Sequence, residues 1–240
     1  MKDNKPSKKL DIFLLLLLAI LCAFKFSGPA LLRAYIQAGI GDCLKSPILC
    51  TVPGKIFKPS LNREYTLSLI PYDFPEIKIS VPKGYTVVNE TIKKIYYKKK
   101  KRPFDSDVMF VLRQKPNFFP GLFPQLKNQG INDNAAFIDR LMYANLKNIR
   151  DLTDAFFVIT KSIFTPNLGE CQKLTMIKVT FNNMYGYITY SPGEKCNFFD
   201  CNILTDSGNL FKVYIRDKSG RLDLEKVCSI LSTVSLKNPS

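Results

Sequence analysis

From Ile12 to Phe24 every residue is apolar, and the wider run from Leu10 to Phe26 is interrupted only by Asp11 and Lys25 near its ends. A helix of about 17 residues spans roughly 25 Å, the lower limit for crossing a hydrocarbon core about 30 Å thick. Lys25 can snorkel while Phe24 and Phe26 sit at the interface, which makes the short span workable. Lys2, Lys5, Lys8 and Lys9 precede it, and positive charge before a span favours a cytoplasmic N-terminus. The pattern predicts a basic cytoplasmic leader over 1–9, one transmembrane signal-anchor over 10–26, and an exported remainder held at the cell membrane. A cleaved signal peptide competes, because the uncharged core has the length of an h-region. Its cleavage site is poor: Leu21-Cys22-Ala23 has leucine where a small residue is wanted, and Gly28-Pro29-Ala30 lies well beyond the core.

Past this run the apolar positions become periodic. Ser27, Gly28 and Pro29 break the hydrophobic helix, and Leu31, Tyr35 and Ala38 stripe a short second helix over Ala30–Ala38, stopped by Gly39 and Gly41. That helix either lies along the membrane interface or docks on the domain. Pro47, Pro53 and Pro59 make 42–63 a connection without regular structure, so 27–63 reads as juxtamembrane helix and linker, and 64–240 as the exported folded domain. Ile77–Val81 alternates as a half-buried strand, Pro82-Lys83-Gly84 turns, and Tyr85–Val88 is extended. Asp107–Arg113 is a further strand, and Asn132 or Asp133 caps a helix from about Ala135 to Asn148. Strands are then predicted over Ala155–Phe164, Lys173–Phe181, Tyr185–Tyr190, Asn197–Leu204 and Leu210–Arg216. Their turns fall at Asn182-Asn183-Met184 and Asp206-Ser207-Gly208-Asn209. Leu224, Val227, Cys228 and Leu231 recur at helical spacing and close the chain with a half-buried helix, which puts Cys228 in the core. The sum is an α+β domain, an antiparallel sheet packed with helices, preceded by one N-terminal transmembrane helix.

The opening Ile79-Ser80-Val81-Pro82-Lys83-Gly84-Tyr85 and the closing strand, turn and helix over Phe211–Val234 resemble the PsbP-like group of exported or thylakoid-lumen domains; about half of the chain has no match to that group. The resemblance implies a fold. Because the group includes accessory and assembly factors, it also implies binding more readily than catalysis, and it carries no motif whose residues transfer to this chain.

Composition narrows the chemistry. Lysine and arginine total 35 against 20 carboxylates, a net charge of +15, so the surface attracts anions. Outside the cytoplasm those are anionic envelope components, and nucleic acid is not an expected partner. The chain has no histidine, which removes Ser-His-Asp and Cys-His nucleophiles and histidine metal sites. Of seven cysteines, Cys22 lies in the hydrophobic run and an even set remains, as an oxidising compartment favours. Cys43 with Cys50 and Cys196 with Cys201 are the close pairs that local bridges would join, while Cys171 and Cys228 have no sequence neighbour. Neither pair has structural zinc spacing. No metal and no cofactor is expected.

Lys93, Lys94, Lys98, Lys99, Lys100, Lys101 and Arg102 gather positive charge around Ile95, Tyr96 and Tyr97. They are the candidate anion-binding residues, with a solvated loop beyond a core strand as the plainer reading. Three phenylalanines among three prolines over 116–124 predict an irregular apolar loop, either a contact surface or a flap folded onto the core. Asp105 with Asp107, Asp151 with Asp154, and Glu170 are the only approaches to acid-base constellations, and Asp151 and Asp154 read equally well as caps. Asn89-Glu90-Thr91 matches a glycosylation acceptor. No catalytic set emerges. The sequence therefore predicts a membrane-tethered, extracytoplasmic binding or assembly module for a protein partner or an anionic envelope polymer. The alternative is a hydrolase using carboxylates or a cysteine without histidine.

Overall fold

The computed structural model describes residues 27–54, 56–74, 76–88, 107–165, 174–181, 183–191, 198–217 and 219–236. Two-residue alternation builds its larger sheet. Along Leu210–Arg216 (β9), Phe211, Val213 and Ile215 are buried, while Lys212, Tyr214 and Arg216 between them are only partly so. Val108–Gln114 (β5), Thr175–Phe181 (β6), Met184–Tyr190 (β7) and Phe198–Thr205 (β8) complete an antiparallel centre in the order β6-β7-β8-β9-β5. Both expected hairpins form, β6 to β7 and β8 to β9, the second turning on Gly208 at φ 77°. Gly186 lets β7 and β8 close up, since a Cβ there would meet the Asn202 carbonyl oxygen at 2.1 Å.

Two short strands extend the sheet at its edges, and both run parallel to their neighbours: Ile56–Phe57 (β1) beside β6, and Thr86–Val88 (β4) beside β5. The sheet is therefore seven-stranded and mixed, not wholly antiparallel. The physical reason is connection length, because the long stretch between Val88 and Val108 lets the chain return in the same direction, which a tight turn cannot do. A smaller antiparallel sheet holds Ile70–Asp73 (β2), Ile77–Val81 (β3) and Ser235–Leu236 (β10), in the order β10-β3-β2.

One face of the large sheet is aliphatic and dry. Met109, Val111, Ile188, Cys201, Ile203, Phe211, Val213 and Ile215 pack there with Ile77, Ile79 and Val81 of β3 and with Val227, Cys228, Ile230 and Leu231 of the last helix, Leu224–Leu231. That helix forms where its spacing predicts, capped by Asp223, whose side chain accepts from the Lys226 N–H.

Helices cover the other face. Asn134–Tyr143 is capped by Asp133, and its residues Phe137, Ile138, Leu141 and Met142 pack with Tyr187, Leu204 and Leu210 of the sheet. Leu152–Phe164, predicted as a strand from Ala155, is instead a helix. Its run of phenylalanine, valine and isoleucine has high strand propensity, yet Ala155, Val158 and Lys161 are buried three residues apart, and Asp151 caps the first turn by accepting from the Asp154 N–H. Tertiary burial of one helical stripe outweighs the propensity. Three prolines do not keep 116–124 irregular either. Phe118–Leu122 is a one-turn helix followed by a 3-10 turn over Pro124–Gln129, with Phe119 stacked on Phe137 at 4.1 Å. The flap reading holds for Phe119, while Phe118 and Leu122 stay exposed.

Residues 27–39 are helical, so the second helix, expected from Ala30, already includes Ser27, Gly28 and Pro29, while their junction with the 10–26 run lies outside the described residues. The segment expected to be an irregular linker contains a 3-10 turn over Pro47–Leu49, β1 and a short helix, Arg63–Leu67. It is packed: Ile36 and Leu49 share a third apolar cluster with Leu146, Ile149, Ala155 and Val158. Among the described residues no helix is long and apolar enough to cross a membrane; the run over 10–26 lies outside them.

Candidate functional site

The connection between the two covering helices, residues 144–151, carries a 3-10 turn over Leu146–Asn148, and its buried side chains recur three residues apart. Leu146 and Ile149 are buried anchors, and Asn148 and Arg150 are turned outward with Lys147. The Asn145 side chain accepts from the Lys147 N–H at 2.9 Å and fixes the turn. This lip faces Arg33 of the 27–39 helix, and between them opens a cleft of about 520 Å³ lined by Arg33, Arg140, Tyr143, Asn145, Lys147, Asn148, Arg150 and Asp154. An adjoining cavity of about 300 Å³ shares Arg33 and Lys147 and runs under the Asp42–Leu44 turn.

Four cations and one carboxylate line the main cleft. Asp154 is 12% exposed and is held from both sides: Oδ1 accepts from Arg140 Nη2 at 2.5 Å, and Oδ2 accepts from Arg150 Nε at 3.0 Å and from the Arg150 backbone N–H at 3.1 Å. The bond to Asp154 raises the Arg150 pKa. A guanidinium has five N–H donors, so one shared carboxylate orients both forks without exhausting them. Arg33 donates from Nη2 to the Ile149 carbonyl at 3.1 Å, while its Nε is buried with no hydrogen-bond partner. A buried donor left unmade costs about 1–3 kcal/mol. The chemistry available is recognition of an oxyanion, phosphate or carboxylate, by planar donors.

The cleft stands on a buried cation. Lys161 is fully buried and its Nζ donates to the carbonyls of Thr51, Met142 and Ala144 at 2.5, 2.7 and 2.9 Å, one for each ammonium N–H. Those carbonyls belong to the segment after the disulfide and to the end of the first covering helix, so one side chain ties the lip to its base. Burial pulls the Lys161 pKa down to about 7.

A second polar group lies under the helices, on the covered face of β7, β8 and β9. Thr189, Asp200 and Asn202 are each at most 1% exposed. Lys212 Nζ is 3.4 Å from Asp200 Oδ1, donates to the Phe164 carbonyl and sits 3.8 Å from the Phe164 ring centroid. The side-chain hydroxyls of Thr165 and Thr189 have no hydrogen-bond partner, and burial raises the Asp200 pKa against the lowering effect of Lys212 and Asn202.

Of the residues expected to carry function, Lys93, Lys94, Lys98, Lys99, Lys100, Lys101 and Arg102 lie outside the described residues, as do Asp105, Glu170, Cys171, Cys196 and the Asn89-Glu90-Thr91 acceptor. Cys43 and Cys50 are bridged, with Cα atoms 5.6 Å apart. Cys201, suggested as the partner of Cys196, is a free thiol buried on β8, and Cys228 is likewise free and buried. Burial pushes Cys201 well above the ordinary thiol range and Cys228 up to about 12, so neither is a ready nucleophile. Asp107 is tied to Arg221 at 2.8 Å and to Ser219, and Asp151 is a helix cap. Arg33, Arg140, Lys147 and Arg150 were not singled out from the sequence. Three of them fall within eleven positions, but with 35 lysines and arginines in the chain such a grouping does not stand out. Among the described residues no group of three or more metal-ligating side chains comes together. No family model, no curated protein and no solved structure matches this chain.

Proposed function

We propose that the chain is a membrane-tethered, extracytoplasmic binding module whose arginine-lined cleft receives an oxyanion of the cell envelope. The observation that carries this reading is a cleft lined by four cations, Arg33, Arg140, Lys147 and Arg150, against a single carboxylate, Asp154, which pairs with Arg140 and Arg150. The PsbP-like resemblance, which favours binding over catalysis, points the same way, and the Leu10–Phe26 run supplies the tether.

The test uses the full chain in neutral-detergent micelles, titrated with polyphosphate as an anionic-polymer probe. Binding weakens with added salt, as expected of phosphate contacts. The Lys147→Glu/Arg150→Glu chain, checked for unchanged melting, binds at least tenfold more weakly than the parent. A Lys98→Glu/Lys99→Glu chain measures the share owed to general charge. If that second pair lowers affinity as much as the first, the cleft is not the site.

A further inference from the structure

We propose that the oxyanion is the phosphate headgroup of the bilayer itself, and that the outer face of the 27–39 helix lies on the membrane surface beside the cleft. This rests on the reading of the cleft as an oxyanion site and of residues 10–26 as the tether. The 27–39 helix has two apolar faces and only one is packed. Ile36 is 2% exposed in the cluster with Leu49. The opposite stripe, Ser27, Ala30, Leu31, Ala34, Tyr35 and Ala38, carries no charge, and Leu31 and Tyr35 are 62% and 78% exposed. Leu44, which lines the adjoining cavity with Arg33 and Lys147, is 90% exposed.

Position in the chain identifies the occupant of this face. The apolar run ends at Phe26 and the described helix begins at Ser27, so no spacer separates the two. Arg33 lies about 9 Å along the helix from Ser27 at the helical rise. A helix that leaves a bilayer with an uncharged outer stripe, and with Arg33 on its flank beside Lys147 and Arg150 of the lip, can lie as an interfacial helix does, apolar side in the acyl boundary and the cations at the phosphates. Tyrosine suits the headgroup level. The cleft donors then face headgroups at short range, and anionic lipid strengthens the contact by about fivefold for each basic side chain near the surface.

The chain has no tryptophan, so single substitutions create unique fluorophores. Tyr35→Trp, Leu44→Trp and, as reference on the smaller sheet, Tyr72→Trp are made in the full chain and reconstituted into vesicles. The lipid is phosphatidylcholine with brominated acyl chains, alone or mixed with phosphatidylglycerol. Emission from Tyr35→Trp and Leu44→Trp is expected to be blue-shifted and quenched several-fold more than from Tyr72→Trp. Phosphatidylglycerol deepens the quenching, and Lys147→Glu/Arg150→Glu abolishes that increment. Quenching no greater than in Tyr72→Trp overturns the proposal. Blue-shifted but unquenched emission reports burial against protein, a second copy or a partner, and also overturns it. Quenching indifferent to phosphatidylglycerol and to the charge reversals overturns the headgroup assignment. Polyphosphate binding in micelles that persists in any of these cases leaves the cleft as an oxyanion site, so the two failures are told apart.

Discussion

On one face of β9, Phe211, Val213 and Ile215 are fully buried among aliphatic side chains, whereas Lys212 and Tyr214, between them on the same strand, face the helical side. The first face meets a three-stranded sheet and the last helix through a large apolar cluster. The second itself carries buried Thr189, Asp200 and Asn202 and meets helices that bring a buried lysine, Lys161. A dry interface gains free energy in proportion to the apolar area removed from water and needs close packing but no pairing of donors with acceptors. A polar interface must match donors to acceptors one by one. The comparison teaches that the dry face supplies stability, while the helical layer trades some of it for arginines and lysines set in fixed positions beside the cleft.

Phe211→Ala on the dry face gives the sharpest test of that division. It is expected to cost about 3–5 kcal/mol in denaturant unfolding of the full chain in micelles, with polyphosphate affinity of the folded fraction unchanged. A small stability cost with lost binding would break the comparison. Lys161→Met on the helical side leaves three carbonyls without their donor and is expected to cost about 3 kcal/mol. It also weakens polyphosphate binding, because the lip over the cleft loses its tie.

Lys161 also marks the helical side by pH. Its native pKa near 7 lies below the unfolded lysine value of about 10.4. Between those values the native protein has released a proton that the unfolded chain retains, so unfolding takes one up and stability rises with pH. The difference in unfolding free energy between parent and Lys161→Met should grow by up to about 1.4 kcal/mol per pH unit across this window, and a parallel pair of profiles would contradict it. Cys43→Ala/Cys50→Ala opens the short loop below the adjoining cavity. With its cysteines seven positions apart in sequence, the chain-entropy model expects a loss of about 2–3 kcal/mol, read as a melting shift of several degrees.

Most of the dry half is legible in the sequence. Ile77–Val81, the two hairpins and the last helix form where alternation, turn residues and helical spacing put them, because each pattern is local and each element buries one regular stripe. The 152–164 helix is the instructive failure. Its aromatic and β-branched residues favour a strand in isolation, and only the burial of Ala155 and Val158 with Leu49, of Phe157 against the sheet, and of Lys161 beneath the lip selects the helix. Burial of Lys161 could not be foreseen, since a lone lysine in such a run reads as a solvent-facing position until three carbonyls from distant segments surround it. The cleft was illegible for the same reason, as Arg33 stands far in sequence from Arg140 and Arg150 and nothing local joins them.

By itself the sequence determined the hydrophobic run, the surplus of positive charge, the lack of histidine, and the α+β pattern of most strands and helices. These depend on composition or on neighbours a few residues apart. The tertiary structure alone decided that the edge strands run parallel, that the segment after the run is packed against the domain, that Cys201 is buried as a free thiol, and that Arg33 joins Arg140, Lys147 and Arg150 at one cleft. Each of these is a relation between segments far apart in the chain, set by which surfaces exclude water together, and no local spacing encodes it.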